Sequence, residues 1–165
     1  MRGLSEKVTG IAPSATLAIA EKAREMQQNG LAVISLSIGE PDFDTPAHIK
    51  EACIRALMNG KTHYAPSNGI PELLAAIAGK TRMENRFPCT PSQVLVTCGA
   101  KDAIYDAATA VLNPGDEAII LDPSWVSYEP WVILAGGRPV HHPLHEKTFQ
   151  VTDTLLEAVT AKTRM

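Results

Sequence analysis

The sequence predicts an α/β fold built on a mostly parallel sheet with flanking helices. Three short runs favour strands, Val94–Thr97, Ala118–Leu121 and Arg138–His141, and they alternate with segments of helical apolar spacing. Glycine and proline turns such as Asn113–Asp116 separate the two kinds of segment. Because each crossover helix returns the chain to the same end of the sheet, this alternation is typical of parallel strands.

Three helices are predicted ahead of these strands. Ser14 caps the first, which runs to residue 29 and ends before Gly30. Thr45 caps the second, which ends near Gly60, and the third begins at Pro71 and ends before the Phe87-Pro88 pair. The apolar residues of each helix recur at the spacing of one buried face.

The other predicted elements complete the alternation. They are a strand at Val33–Leu36, helices over residues 104–111, Trp125–Ala135 and Thr152–Thr160, and a further strand beginning where the sequence ends at Met165.

Composition restricts the class of protein. The chain has 165 residues, enough for one domain, with 45% hydrophobic and 20% charged residues, as in ordinary globular proteins. A net charge of −3 with scattered Lys and Arg disfavours nucleic acid as a partner. No apolar stretch reaches the length of a membrane span, and Met1–Gly10 lacks the pattern of a secretory signal. We therefore expect a cytoplasmic protein.

The cysteines and histidines give little support to a metal site. Cys53, Cys89 and Cys98 are an odd number without Cys-x-x-Cys spacing, which predicts ordinary buried thiols. His141-His142 and His145 lie close in sequence, but neighbouring residues on a strand point to opposite faces. We expect a solvated loop there and no bound metal.

Gly99, Ala100 and Lys101 follow a predicted strand and open a predicted helix. In α/β sheets this position offers free backbone N–H groups to an anion, so a phosphate site is one interpretation. The other is that Gly99 merely permits a tight turn. Neither G-x-G-x-x-G nor a P-loop motif is present, which disfavours a dinucleotide or nucleoside triphosphate.

Trp125 follows the predicted strand that ends at Leu121, and we expect it at the same edge of the sheet as Gly99. Its aromatic face could stack on a flat ring. The alternative is that Trp125 simply packs on the helix that follows, as most tryptophans do.

A long motif supports the phosphate site at Gly99 and the stacking role of Trp125. Ser37–Pro46 reads S-I-G-E-P-D-F-D-T-P, and it resembles the G-E-P-D-F-x-T-P signature of class I aminotransferases, which depend on pyridoxal 5'-phosphate. Tyr64–Leu73, Thr97–Lys101, Asn113–Asp116 and Pro123–Trp125 follow at spacings like those of that family. The resemblance covers essentially the whole sequence.

The resemblance implies a fold and an activity. The implied fold is the PLP-dependent transferase-like fold (fold type I), incomplete and truncated before the central strands of the sheet. Residues 1–45 would form the N-terminal arm and part of the small domain, and residues 46–165 the first part of the large cofactor-binding domain. The implied activity is amino-group transfer between an amino acid such as aspartate and a 2-oxo acid.

The resemblance also implies binding residues for the cofactor and the substrate. Trp125 would stack on the pyridine ring, with its indole N–H near the substrate carboxylate, and the backbone N–H of Gly39 would help to hold that carboxylate. Tyr64 would reach the cofactor phosphate of the neighbouring subunit, which implies a homodimer. The phosphate-binding turn would consist of Gly99, Ala100 and Lys101.

The sequence departs from the family pattern at two positions. Ala100 stands where relatives often have glycine, and Ser124 where they often have tyrosine. Ala100 still provides its backbone N–H, whereas Ser124 predicts weaker support for the ring of Trp125.

The resemblance assigns no catalytic residue to this chain, because the family's Schiff-base lysine lies downstream of the point that matches Met165. None of the lysines stands in the Schiff-base context; they are Lys7, Lys22, Lys50, Lys61, Lys80, Lys101, Lys147 and Lys162. We expect the isolated chain to be inactive and, with unpaired central strands, marginally stable or prone to aggregate. The alternatives are a non-catalytic fragment that binds a phosphorylated ligand or docks on an intact subunit, and a separate α/β binding domain.

Overall fold

A computed structural model describes residues 3–37 and 39–165. The chain forms two compact units. The first unit combines the described residues before Gly39 with Lys101–Met165, and the second unit spans Gly39–Ala100. The predicted division of the family's domains at residue 45 stays a prediction.

Helices and strands alternate in the second half of the described chain as predicted. A single 3-10 turn spans Pro91–Gln93. The helices and strands, in chain order, are α1 (Glu6–Thr9), α2 (Ala15–Gln28), α3 (Ala47–Met58), α4 (Pro71–Glu84), α5 (Ala100–Val111), β1 (Glu117–Asp122), α6 (Tyr128–Leu134), β2 (Arg138–Pro143) and α7 (Leu155–Ala158).

Strands β1 and β2 pair in parallel, with α6 as the crossover between them. The register runs from Glu117 opposite Arg138 to Asp122 opposite Pro143. The parallel α/β arrangement predicted from the alternation is therefore confirmed for this pair.

The second edge of β1 receives the last residues of the chain. Thr163 forms a parallel bridge with Glu117, and the N–H of Ile119 donates to the carbonyl of Met165 at 2.8 Å. The further strand predicted after α7 thus begins beside β1.

The core of the first unit lies between β1 and the two helices α5 and α6. Its buried residues are Ala108, Leu112, Ala118, Ile120 and Val132. They come from α5 and the turn after it, from β1 and from α6, so the cluster fixes both helices against the strand that leads to Trp125.

Two predicted strands, Val33–Leu36 and Val94–Thr97, are not formed in the described chain. In the second segment, the N–H of Val96 donates to the carbonyl of Asn68 at 3.0 Å, but no ladder follows. A strand is stable only beside another strand, and neither segment has such a neighbour among the described residues. Both segments are irregular for this reason.

Several helix boundaries also differ from the prediction. Helix α3 begins one residue late, with Pro46 rather than Thr45 at its N-cap. Helix α6 starts at Tyr128 instead of Trp125, and α7 is a single turn rather than Thr152–Thr160. The predicted apolar stripe of α3 is not buried: no residue of this helix lies in a core among the described residues.

Other local predictions are confirmed. The hydroxyl of Ser14 accepts a hydrogen bond from the N–H of Leu17, at the predicted start of α2. Helix α4 begins at Pro71 and buries Leu74 and Ala78. Among the described residues, no helix combines the length and the apolar character that crossing a membrane requires.

Candidate functional site

Trp125 lies in the short loop between β1 and α6, and 41% of the residue is exposed. Its ring meets Tyr128 at 5.9 Å between centroids and Trp131 at 5.2 Å, both nearly perpendicular. Edge-to-face contacts of this kind are favourable and restrict the ring's rotation. The alternative that Trp125 packs on the following helix is therefore correct, yet the residue stays accessible to a ligand.

Two of the predicted cofactor residues are close together. Lys101, the second residue of α5, places its Nζ 5.1 Å from the centroid of the Trp125 ring. An ammonium near an aromatic face is attracted by the negative charge of the π-system. The pair offers a positive charge and a flat surface, which is what a phosphorylated aromatic compound requires.

Gly99 and Ala100 are the last two residues of the unit Gly39–Ala100, whereas Lys101, the next residue, belongs to the other unit. Gly99 has φ +89°, which favours glycine, and an added Cβ there would meet no atom within 4 Å. Ala100 begins α5, so the first N–H groups of this helix lie at the turn. The turn is exposed and can be approached by an anion.

Gly39 and Tyr64 both belong to the unit spanning Gly39–Ala100, in irregular segments. Tyr64 is fully exposed, and a Cβ added at Gly39 would lie in open space. Ile38, part of the signature motif, lies outside the described residues. The substrate role of Gly39 and the dimer role of Tyr64 stay predictions.

A hydrogen-bonded network beside Trp125 was not predicted. The Nδ1 atom of His141 lies 2.8 Å from Oδ2 of Asp122, and the hydroxyl of Ser124 donates to Oδ1 of the same carboxylate at 3.1 Å. The Nε2 atom of His141 is 3.8 Å from Oε2 of Glu129. The His-His pair in the sequence was a signal for this region, but the register that brings β2 beside β1 was needed to identify the partners.

The expectation of a solvated loop at the histidines holds for His145, which is exposed in the loop after β2, and is wrong for the other two. His141 and His142 lie on β2 and point to opposite faces. His142 is buried, and its Nε2 is 3.4 Å from the hydroxyls of both Thr152 and Thr154. Within residues 3–37 and 39–165, no three His, Cys, Asp or Glu side chains are placed to hold a metal ion.

The cysteines are also more accessible than predicted. Cys53 and Cys98 are exposed, and Cys89 is half-buried. The prediction of buried thiols is wrong because Cys53 lies on α3, which buries no residue, and Cys98 lies in the irregular segment before α5.

The carboxylates with the clearest electrostatic perturbation lie at the other end of β1. Arg138, and then the hydroxyl of Thr160, donate hydrogen bonds to Glu117 and hold its pKa below the usual range. The pKa of Asp116 is lowered chiefly because the backbone N–H of Asn113 donates to it. These bonds join β1 to β2 and to neighbouring segments, so they have a structural role.

The first unit also contains an open groove of about 490 Å³. Residues Gly10–Ala15 form one wall, and α6 with the preceding loop forms the other, including Val126, Glu129 and Trp131. None of the predicted cofactor residues lines this groove. Its size suits a small ligand, but the predicted chemistry lies at Lys101 and Trp125 instead.

A sequence model described as "Aminotransferase class I and II" matches residues 32–164. The chain belongs to this family. It is 48% identical to the probable aspartate/prephenate aminotransferase of Thermus aquaticus, over 99% of the chain and 43% of the relative. It is 53% identical to the aspartate/prephenate aminotransferase of Thermus thermophilus, over 83% of the chain and 36% of the relative.

Solved structures show the same relationship. The Thermus thermophilus aspartate aminotransferase with maleate superposes with a TM-score of 0.93 at 48% identity, over 99% of this chain and 43% of that one. The aspartate aminotransferase from Rhizobium meliloti gives 0.92 at 37% identity, over 99% of this chain and 41% of that one. This confirms the predicted PLP-dependent transferase-like fold (fold type I), and the chain spans less than half the length of these relatives.

Proposed function

We propose that this chain is the cofactor-binding N-terminal portion of a pyridoxal-phosphate-dependent aminotransferase that exchanges an amino group between an amino acid such as aspartate and a 2-oxo acid. The observation that carries the proposal is the contact of Lys101 with Trp125, two residues that the resemblance assigns to the cofactor site. Membership of the aminotransferase family supports the reaction class.

In this proposal each residue has a distinct task. The N–H groups at Gly99 and Ala100, with the ammonium of Lys101, hold the cofactor phosphate, because the start of α5 provides free donors and positive potential. Trp125 stacks on the pyridine ring. The backbone N–H of Gly39 receives the substrate carboxylate.

When bound, pyridoxal phosphate would supply an electron sink for cleavage of a bond at the substrate's Cα. Residues 1–165 would bind and orient the cofactor and the substrate, and we assign no proton transfer to them. A lysine that tethers the cofactor and moves the proton is not found among them in the family's context. The isolated chain should therefore bind cofactor without transferring amino groups.

The proposal includes a dimer. Tyr64 is fully exposed, as a tyrosine that reaches a neighbouring subunit would be before assembly. The second candidate function, a non-catalytic fragment that binds a phosphorylated ligand or docks on an intact subunit, is favoured by the same exposed tyrosine and by the open turn at Gly99.

A titration with pyridoxal 5'-phosphate tests the binding site. Tryptophan fluorescence of the chain should be quenched saturably, and pyridoxal without the phosphate should bind much more weakly. Lys101→Gln and Trp125→Leu should each weaken binding by about ten-fold, the loss of one charge-assisted contact or one stack. The matched control is Lys80→Gln, since Lys80 is an exposed lysine on α4. Equal affinities in all four proteins would contradict the site.

Reduction with borohydride tests the absence of a tethering lysine. After incubation with pyridoxal phosphate, mass spectrometry should find scattered substoichiometric labelling of exposed lysines. Stoichiometric labelling of one lysine, or amino-group exchange by the pure chain, would show that the catalytic amine is present and would overturn this part of the proposal.

A further inference from the structure

His141 connects three elements around Trp125. It lies on β2, its Nδ1 faces the Asp122 carboxylate at the end of β1 at 2.8 Å, and its Nε2 faces Glu129 in the first turn of α6 at 3.8 Å. Since an ionised carboxylate only accepts hydrogen bonds, Nδ1 is the donor to Asp122. The imidazole is therefore hydrogen-bonded to the strand before the Trp125 loop and lies beside the helix after it, where a protonated ring would attract Glu129.

The partners of His141 lie on both sides of the Trp125 loop. On one side, Ser124, the residue directly before Trp125, donates its hydroxyl to the second oxygen of Asp122 at 3.1 Å. On the other side, Glu129 shares a helical turn with Tyr128, whose ring contacts the Trp125 ring at 5.9 Å. Removing the imidazole would take away the contact that Asp122 and Glu129 share on β2 and would loosen the Trp125 loop, while the buried cluster still fixes α6 against β1.

This arrangement also accounts for Ser124, where the sequence predicted weak support for the ring. The hydroxyl ties the loop to Asp122, while the rings of Tyr128 and Trp131 contact Trp125 directly. The support comes from α6 and from the hydrogen-bonded network.

The network contributes orientation more than stability. The side chains of His141, Asp122 and Glu129 are 43%, 41% and 53% exposed. Ion pairs at this exposure contribute little to the free energy of unfolding, because water screens them. A contact that is weak in energy can still select one geometry of a short loop.

We propose that His141 is a positioning residue that holds the Trp125 ring at the angle required for stacking on a flat cofactor. The role in orienting the ring stands on the geometry alone, and only the role in stacking rests on the proposed function.

The orienting role is tested on the chain without ligand. Incorporation of 5-fluorotryptophan gives one ¹⁹F resonance for Trp125 and one for Trp131, which Trp131→Phe assigns. In His141→Leu the Trp125 resonance should shift and broaden while the circular dichroism is retained. The Trp131 resonance should change less, since its ring contacts Trp125 at 5.2 Å but is held within α6. His141→Asn, whose amide can replace Nδ1 as the donor to Asp122, should restore most of the original signal.

The matched control is His145→Asn. His145 accepts hydrogen bonds from the N–H groups of Lys147 and Thr148 within its own loop, so its loss should leave the Trp125 resonance unchanged. If His141→Leu does not fold, Asp122→Ala and Glu129→Gln each change one of the two partners of His141, and each should shift the resonance in part. An unchanged Trp125 resonance in the folded variants would overturn the proposal.

The stacking role is tested with pyridoxal 5'-phosphate as the probe. His141→Leu should weaken its binding by about three- to ten-fold, the effect expected from misaligning one aromatic stack, and His141→Asn should restore it. If the unmodified chain does not bind the probe, the proposed function fails while the ¹⁹F result still decides the orienting role. If the unmodified chain binds and His141→Leu binds equally well, the stacking role is wrong.

Discussion

Replacing Gly137 by alanine should destabilise the unit that carries Trp125. Gly137 lies in the turn between α6 and β2, against the buried cluster. A Cβ at this position would lie 2.9 Å from Cδ1 of Leu112, 3.2 Å from Cγ1 of Val132 and 3.4 Å from the carbonyl oxygen of Val132. The first distance is too short for two carbon atoms, so the core must shift to accept the methyl group.

The size of the effect follows from the neighbours. Leu112 and Val132 are both 5% exposed, so neither side chain can move into solvent. Adding a methylene-sized group to a packed core costs about 1–3 kcal/mol. Leu112→Ala alone should cost about 2–5 kcal/mol. It also removes the Cδ1 atom that the new methyl group would meet, so the double variant should cost less than the sum of the single variants.

Urea denaturation followed by tryptophan fluorescence measures these costs. A stabilising osmolyte should be present throughout, since we expect the chain alone to be marginally stable. The matched control is Gly79→Ala in α4, where an added Cβ would meet nothing within 4 Å. It should stabilise the helix by about 0.5–1 kcal/mol.

Two results would refute this reasoning. One is that Gly137→Ala is as stable as the parent chain, which would mean that the core has room beside Leu112. The other is that the effects of Gly137→Ala and Leu112→Ala simply add, because contacting residues should show a coupling of about 0.5–3 kcal/mol.

Three further predictions concern stability. Arg138 lowers the pKa of Glu117, so the ionised Glu117 stabilises the fold fully above the ordinary carboxyl pKa and loses this effect as the pH falls through the lowered pKa. The unfolding free energy should therefore decline between about pH 5 and 3, and it should decline less steeply in Glu117→Gln. Equal slopes in the two proteins would argue against this role of Glu117. Gly69→Ala should lower the free energy of unfolding by about 1–3 kcal/mol, because φ is +116° and the new Cβ would lie 2.8 Å from Cγ2 of Val96. Chemical denaturation measures this loss, and a neutral effect would contradict it. In buffer without the osmolyte, the chain should aggregate or melt without cooperativity, because large apolar residues such as Leu36, 94% exposed, lack partners. Calorimetry and light scattering check this, and a cooperative monomeric melt in that buffer would contradict it.

Local signals in the sequence were sufficient for most helices and for two of the strands. The Ser14 cap, the Pro71 start of α4 and the positions and parallel direction of β1 and β2 were all predicted. Helices satisfy their hydrogen bonds within one segment, so caps and apolar spacing are enough to locate them. The resemblance to the family also predicted Lys101 and Trp125 as neighbours in one site; the two are close together, and their role in binding a cofactor stays a prediction.

Other features depend on residues distant in sequence and could not be predicted from local patterns. Whether Val94–Thr97 is a strand depends on a neighbouring strand, and the described chain gives it none. Asp122 lies 19 positions from His141 in the sequence, and Glu129 belongs to a different element, so only the pairing of β2 with β1 and the packing of α6 bring the three together. Caps and turns are local in a polypeptide, whereas strand pairing, burial and side-chain networks arise from contacts between segments that the chain must first fold to meet.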